Sequence, residues 1–181
     1  MHITILVGSF RQNSYNQQLA TLVKSLTPKE ITISQISIAN LPLYSQDLDD
    51  QLPQSVQDFK QAISQADGVL IVTPEYNRSI PGALKNAIDW ASRPTKESVW
   101  TNKPVGIMGA STGQFGTITA QFDLRRILTH VQCQIMPQPQ VYVAKVEDKL
   151  DNDTFEPKTV KAVTRFMDAY IEWVRQHSQQ M

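Results

Sequence analysis

Short apolar segments of strand character alternate with segments whose apolar residues recur every three or four positions, over most of the 181 residues. This alternation restricts the fold more than any other feature, because strand–helix repeats close into a parallel sheet with helices on its faces. A strand is expected over His2 to Val7, then a helix over Asn16 to Leu26 with Leu19, Leu22, Val23 and Leu26 on one face. Glu30 to Ile38 changes to period two, but its phase shifts between Ile33 and Ile36, so a bulge or a strand end is expected there. A helix follows Pro53, with Val56, Phe59, Ile63 and Ala66 inward. Gly68 to Val72 is almost continuously apolar, the pattern of a parallel strand covered on both faces. The next helix begins at Pro81 and carries Leu84, Ala87, Ile88 and Ala91. Pro104 to Ala110 is a further buried strand, followed by a helix over Gly116 to Val131 with Leu124, Ile127, Leu128 and Val131 inward. Ile135 to Val143 is weaker, because Pro137 and Pro139 forbid a regular central strand. The last helix starts near Pro157 and presents Val160, Val163, Phe166, Met167, Tyr170, Ile171 and Val174.

Five strand–helix units without repeats or a visible boundary imply one domain over residues 1–181. Right-handed crossovers leave few strand orders, and for five strands the commonest is flavodoxin-like, 2-1-3-4-5. The expected fold is therefore α/β, a doubly wound five-stranded parallel sheet with helices on both faces. Its switch point lies between strands one and three, so a ligand is expected at the loops after Gly8 and after Thr73.

The first loop reads GSFRQNSYN, residues 8 to 16, directly before a helix. A helix start offers unpaired N–H groups and the positive end of the helix dipole. Ser9, Ser14 and Asn16 add small donors, and Arg11 adds a guanidinium suited to a bidentate oxyanion contact. Capping alone accounts for Ser14 or Asn16, but not for Arg11. The loop has neither the Walker pattern nor G-x-G-x-x-G. An acidic pair after strand one and an aspartate ending strand three, as in response regulators, are also missing: these positions hold Gly8, Ser9, Thr73 and Pro74. A monophosphate at such a switch point makes FMN the leading candidate.

The second loop opens the segment TPEYNRSIPGALKNAIDW, residues 73 to 90, and Pro74 and Pro81 stiffen its two ends. Rigid backbone donors suit the polar edge of a flavin ring, where charge develops on reduction. Tyr76 is placed to pack on such a ring, and Glu75 and Asn77 to fix the loop internally. A surface loop with a helix cap remains the alternative.

GSFRQNSYN, PEYNRSIPGALKNAIDWASRP, and GASTGQFGT followed by AQFDLRRIL stand in this order from residue 8 to about 128. Through them the chain resembles the NAD(P)H-dependent FMN reductase family, which includes chromate-, quinone- and azo-dye-reducing flavoproteins. The resemblance implies that Ser9, Arg11, Ser14 and Asn16 hold the FMN phosphate, that Pro74, Glu75, Tyr76 and Asn77 line the flavin ring, and that Ser111 is a third flavin-contacting position. It implies ping-pong transfer from NAD(P)H through FMN to a small-molecule acceptor such as a quinone, azo compound or metal oxyanion, with no catalytic side chain. It also implies a homodimer or homotetramer, in which the long segment Ala39 to Leu52 can reach a neighbouring flavin through Tyr44 and Leu48. Phe122, Arg125 and Arg126, partly off the inward stripe of their helix, are expected at a subunit contact. Phe10, Tyr15 and Arg78 occupy variable positions; Arg78 is either a solvated loop residue or a partner for NAD(P)H phosphate. The alternative of another class is a flavodoxin-type electron carrier without NAD(P)H turnover. Such carriers are usually strongly acidic, and this chain is neutral. A reductase that binds FMN only as an exchangeable substrate is a third possibility.

Seventeen basic residues balance seventeen acidic ones, which gives no footprint for nucleic acid. No stretch reaches the ~20 apolar residues of a membrane span. The run Ile3 to Val7 is too short for a signal-peptide core, so a cytoplasmic location is expected. The single cysteine, Cys133, suits a reducing compartment and reads as a small hydrophobe. His2, His130 and His177 lack metal-ligand spacing, and no metal is expected. Asp47, Asp49 and Asp50 read as a solvated loop tip, while Trp90 and Trp100 bracket a segment that is either interfacial or simply packed.

Overall fold

A computed structural model describes residues 1–178. The elements are β1 (His2–Val7), α1 (Tyr15–Leu26), β2 (Thr32–Ile36), α2 (Gln54–Ser64), β3 (Gly68–Val72), α3 (Gly82–Ala91), β4 (Pro104–Ala110), α4 (Ile118–His130), β5 (Gln134–Ile135), β6 (Val141–Val143), β7 (Leu150–Asp151), β8 (Thr154–Phe155) and α5 (Pro157–His177). The main sheet runs β2-β1-β3-β4-β5, all parallel, as the alternation predicts.

Alternate residues of each strand feed two cores. Ile3, Ile5, Leu70, Val72 and Met108 face α1 and α5, where Leu19, Val23, Phe166 and Tyr170 close over them. Leu6, Val69, Ile71, Val105 and Ile107 face the other way, against Phe59, Ile63, Leu84, Ile88 and Leu124 of α2, α3 and α4. This two-sided burial explains the near-continuous apolar runs of β3 and β4. It also corrects the expectation for β2. The strand pairs with β1 without a break, from His2–Thr32 to Leu6–Ile36. No bulge is needed: Ile31 and Ile33 pack into the first core, Ile36 and Ile38 into the second.

The proline-rich edge is resolved as two short strands. β5 pairs with Pro104 and Val105, and β6 pairs with Met108 to Ala110. Both prolines lie in the loop between them, where no ladder N–H is required. A hairpin, β7–β8, follows with Asn152 and Asp153 at φ 45° and 67°, a turn the periodicity did not reveal.

One further expectation is corrected, and one open alternative is decided. Arg125 is not on the open face of α4: its guanidinium turns under the sheet edge, and Nη1 donates to the Met136 carbonyl at 3.0 Å. Phe122 and Arg126 do remain exposed. Trp90 and Trp100 are packing residues, fully buried, with their indole N–H groups on the carbonyls of Pro42 and Ile88. The long segment Ala39 to Leu52 is thereby fastened to α3. Asn86 accepts from the Tyr44 N–H at 2.8 Å and donates to the Pro42 carbonyl, while the Tyr44 ring stands edge-on to Trp90 at 5.0 Å. Among the described residues, no helix is long and apolar enough to cross a membrane.

Candidate functional site

At the C-terminal ends of β1, β3 and β4, three loops converge on a cleft of about 150 Å³. Two close approaches bring them together. A Cβ on Gly8 would stand 3.2 Å from Thr73 Oγ1 and 3.3 Å from Pro74 Cδ, so the first two loops touch. A Cβ on Gly109 would lie 2.1 Å from the Thr73 carbonyl oxygen, which only glycine permits.

The first loop ends in the cap of α1. Ser14 Oγ accepts only a long 3.4 Å bond from the Gln17 N–H, and the first-turn N–H groups of Tyr15 and Asn16 have no partner within the helix. Arg11 is exposed, its guanidinium 4.6 Å from the Tyr15 ring centre and 3.4 Å from the Asn13 carbonyl. Ser9 Oγ accepts from the Arg11 N–H at 3.4 Å. Two hydroxyls, a guanidinium and open helix N–H groups form a donor set for a phosphate monoester. Asn16 takes another part. It is buried, and its side-chain amide pairs with the Ala110 backbone, so only its main-chain N–H remains for an anion.

The second loop is a tight two-residue turn. Tyr76 and Ser79 exchange N–H···O bonds of 3.0 Å, and Asn77 and Arg78 occupy left-handed φ values of 50° and 65°. This is the hairpin geometry in which asparagine is favoured at the first central position. Two struts hold the turn in place. Glu75 Oε2 accepts from the N–H groups of Thr119 and Ala120, both at 3.0 Å, at the positive end of α4. The Ser79 hydroxyl donates to Asp123, which also accepts from Arg126 at 2.9 Å. These bonds hold the Asp123 carboxyl below its ordinary range, the Ser79 contact foremost. Tyr76 is half exposed over the cleft.

The third loop is pinned to the sheet edge. Ser111 N–H donates to the Val143 carbonyl, and the Ser111 carbonyl accepts from Val146 N–H. Ser111 Oγ donates to the Gly116 carbonyl at 2.6 Å, and Gly116 closes the loop at φ 63°.

Ser9, Arg11, Ser14, Asn16, Pro74, Glu75, Tyr76 and Ser111 therefore line one cleft. Asn77 does not, because it forms the tip of the turn. Tyr15, Ala110 and Thr112 also line it and were not singled out from sequence. Tyr15 stands at a variable position of its motif, and Ala110 and Thr112 carry no chemical signal of their own. Beyond Glu75, Ser111 and Thr112 the cleft opens into a second space of about 420 Å³, bordered by Arg78 and Phe115.

A family profile described as NADPH-dependent FMN reductase matches residues 1–148. A 2-hydroxy-1,4-benzoquinone reductase of a Burkholderia species is 46% identical over 177 residues, covering 97% of each chain. A quinone reductase of Pseudomonas putida is 35% identical over 175 residues, covering 96% of this chain and 94% of its own. Among solved structures, FerB, a flavoenzyme NAD(P)H:(acceptor) oxidoreductase from Paracoccus denitrificans, superposes with a TM-score of 0.90 at 36% identity, over 97% of this chain and 98% of its own. The likeness extends over nearly the whole length of all three proteins.

Proposed function

This chain belongs to the NADPH-dependent FMN reductase family, and from that membership we propose that it passes electrons from NAD(P)H through one bound FMN to quinones and similar small acceptors. The observation that carries the proposal is the meeting of a helix N-terminus and Arg11 with Pro74 to Tyr76 and the Ser111 loop in one cleft at the switch point of the sheet. When bound, FMN supplies two-electron redox chemistry between NAD(P)H and the acceptor.

The chain's own residues bind and orient. Arg11, Ser9, Ser14 and the N–H groups opening α1 hold the phosphate. Asn16 fixes the helix start rather than offering its amide. The backbone of Pro74 to Tyr76 would line the ring, kept rigid by the Glu75 carboxylate on α4 and by the turn at Asn77 and Arg78. Tyr76 would cover the ring, and Ser111 lines the same cleft from the third loop. No side chain serves as nucleophile or general base; the second proton that a quinone needs to become a quinol comes from water.

Residues 1–181 are taken as one FMN-binding domain of a cytoplasmic enzyme that forms a homodimer or homotetramer. The exposed Phe122 on α4 supports a subunit contact there. Sedimentation at micromolar concentration tests the assembly, and a monomer alone would refute it. The relatives named above are reductases, not carriers. Anaerobic NADPH should bleach the flavin of the purified protein, and a quinone should restore it. A flavin bleached by dithionite but untouched by NADH and NADPH would reject the reductase function. Purification without colour would make FMN an exchangeable substrate.

A further inference from the structure

Arg78 is the only cation of the second loop, and its side chain is free where the backbone beneath it is fixed. The turn is closed by Tyr76 and Ser79 and strutted by Glu75 and Asp123. At φ 65° the backbone of Arg78 sits where glycine is the easiest residue to place, so an arginine is held there against its backbone preference. Its side chain is 69% exposed. Among the described residues its guanidinium meets only Glu75 Oε1, at 3.7 Å, and the Phe115 ring, at 5.8 Å. Glu75 is a weak partner, because its other oxygen already accepts two N–H groups at the start of α4. Phe115 is itself 60% exposed. Together they border the 420 Å³ space that continues into the flavin cleft.

A guanidinium with its donors unused, beside an uncovered aromatic ring, matches a planar aromatic anion: the ring stacks and the oxyanion pair takes two N–H bonds. We propose that Arg78 and Phe115 form the acceptor subsite and select quinones carrying an ionised ring hydroxyl over neutral quinones. This rests on the quinone-reducing function proposed above. A 2-hydroxy-1,4-quinone is a vinylogous carboxylic acid, ionised at neutral pH, and its hydroxyl and neighbouring carbonyl oxygens lie side by side as a carboxylate's do. Phe115 is what favours this ligand over the phosphate of NADPH, since a phosphate gains nothing from an exposed ring.

The test uses FMN-loaded wild type, R78K and R78Q with a matched pair, 2-hydroxy- and 2-methyl-1,4-naphthoquinone. One readout is the dissociation constant of each quinone from the oxidised holoenzyme without NADPH, followed by flavin absorbance. The other is the ratio of kcat/KM for the two quinones. R78Q should lower the preference for the hydroxyquinone about tenfold in both readouts, the worth of one charge-assisted contact at a half-open site. R78K should recover part of it. Lowering the pH below the pKa of the quinone hydroxyl should erase the preference in wild type. An unchanged ratio in R78Q overturns the proposal. So does a rise in KM for NADPH but not NADH with the quinone ratio intact, which would assign Arg78 to the nicotinamide phosphate. If wild type binds the pair but reduces neither, the reductase function fails while the binding ratio still decides the role of Arg78.

Discussion

Asn16 and Ala110, 94 residues apart, are joined by two buried hydrogen bonds: Asn16 Nδ2 donates to the Ala110 carbonyl at 2.9 Å, and the Ala110 N–H donates to Asn16 Oδ1 at 2.9 Å. The side-chain amide thus acts as one more peptide unit at the end of β4. It ties the start of α1 to the third loop, fixing two walls of the cleft relative to each other.

Asn16→Ala leaves a buried N–H and a buried carbonyl without partners, at a cost of about 2–4 kcal/mol. Asn16→Asp should be no better at neutral pH, because it keeps the acceptor but sets a carboxylate oxygen against the Ala110 carbonyl. Urea denaturation of the apoproteins measures both. A loss below about 0.5 kcal/mol would mean that water replaces the amide without penalty.

Arg11→Ala should behave in the opposite way. The side chain is exposed and its contacts with Tyr15 and Asn13 are loose, so stability should change by no more than about 0.5 kcal/mol. FMN affinity should fall about ten- to hundredfold, the worth of a charge-assisted phosphate contact. Flavin fluorescence titration with FMN and riboflavin checks this: the variant should lose most of its preference for the phosphorylated flavin.

Two glycines make a contrasting pair. A Cβ on Gly109 would meet the Thr73 carbonyl oxygen at 2.1 Å and Thr117 Oγ1 at 2.3 Å, inside the sheet, where nothing can yield. Gly109→Ala should cost more than about 3 kcal/mol or prevent folding. An added Cβ on Gly82 meets nothing within 4 Å at the start of α3. Gly82→Ala should be neutral or stabilise by up to about 1 kcal/mol. Thermal melts of the two variants compare them directly.

The Asp123 carboxylate, held by Ser79 and Arg126, gives an acid-side signature. Its folded pKa lies below the unfolded value of about 3.9, so the unfolded chain binds more protons between the two. Its contribution is therefore fully present above the unfolded value and is lost as pH falls through the folded one. Asp123→Asn should cost about 0.5–1 kcal/mol at pH 7, and the difference from wild type should shrink towards zero in strong acid. A pH-independent difference, measured by urea titration, would show that Ser79 and Arg126 do not hold the charged form.

The strands, the helices and their inward faces were legible in the chain because burial repeats locally, with period two in strands and near four residues in helices, and the sheet order followed from the few topologies that right-handed crossovers allow. The first loop of the cleft was legible for a similar reason, since GSFRQNSYN lies directly between a strand and a helix start. The rest depended on contacts between segments distant in sequence. A phase shift at Ile33 and Ile36 looks like a defect until the unbroken pairing of β2 with β1 shows that its two ends feed different cores. Pro137 and Pro139 show that an edge is broken, but not that β5 and β6 both return to β4.

For the polar residues the chain fixed the kind of group and the tertiary structure fixed its task. Asn16 and Ser14 are equally plausible phosphate ligands in sequence. Only the position of the end of β4 commits the Asn16 amide to Ala110 and leaves Ser14 facing the cleft. Glu75 could have faced a ligand, yet the start of α4 arrives beside it and supplies two N–H donors. Arg125 and Arg126 are adjacent, but one turns under the sheet edge while the other stays in solvent. Apolar residues go inward wherever a core exists, so their pattern shows the fold directly. A hydrogen-bonding group satisfies whichever donor or acceptor the fold brings within about 3 Å, and nothing local in the sequence determines which one that is.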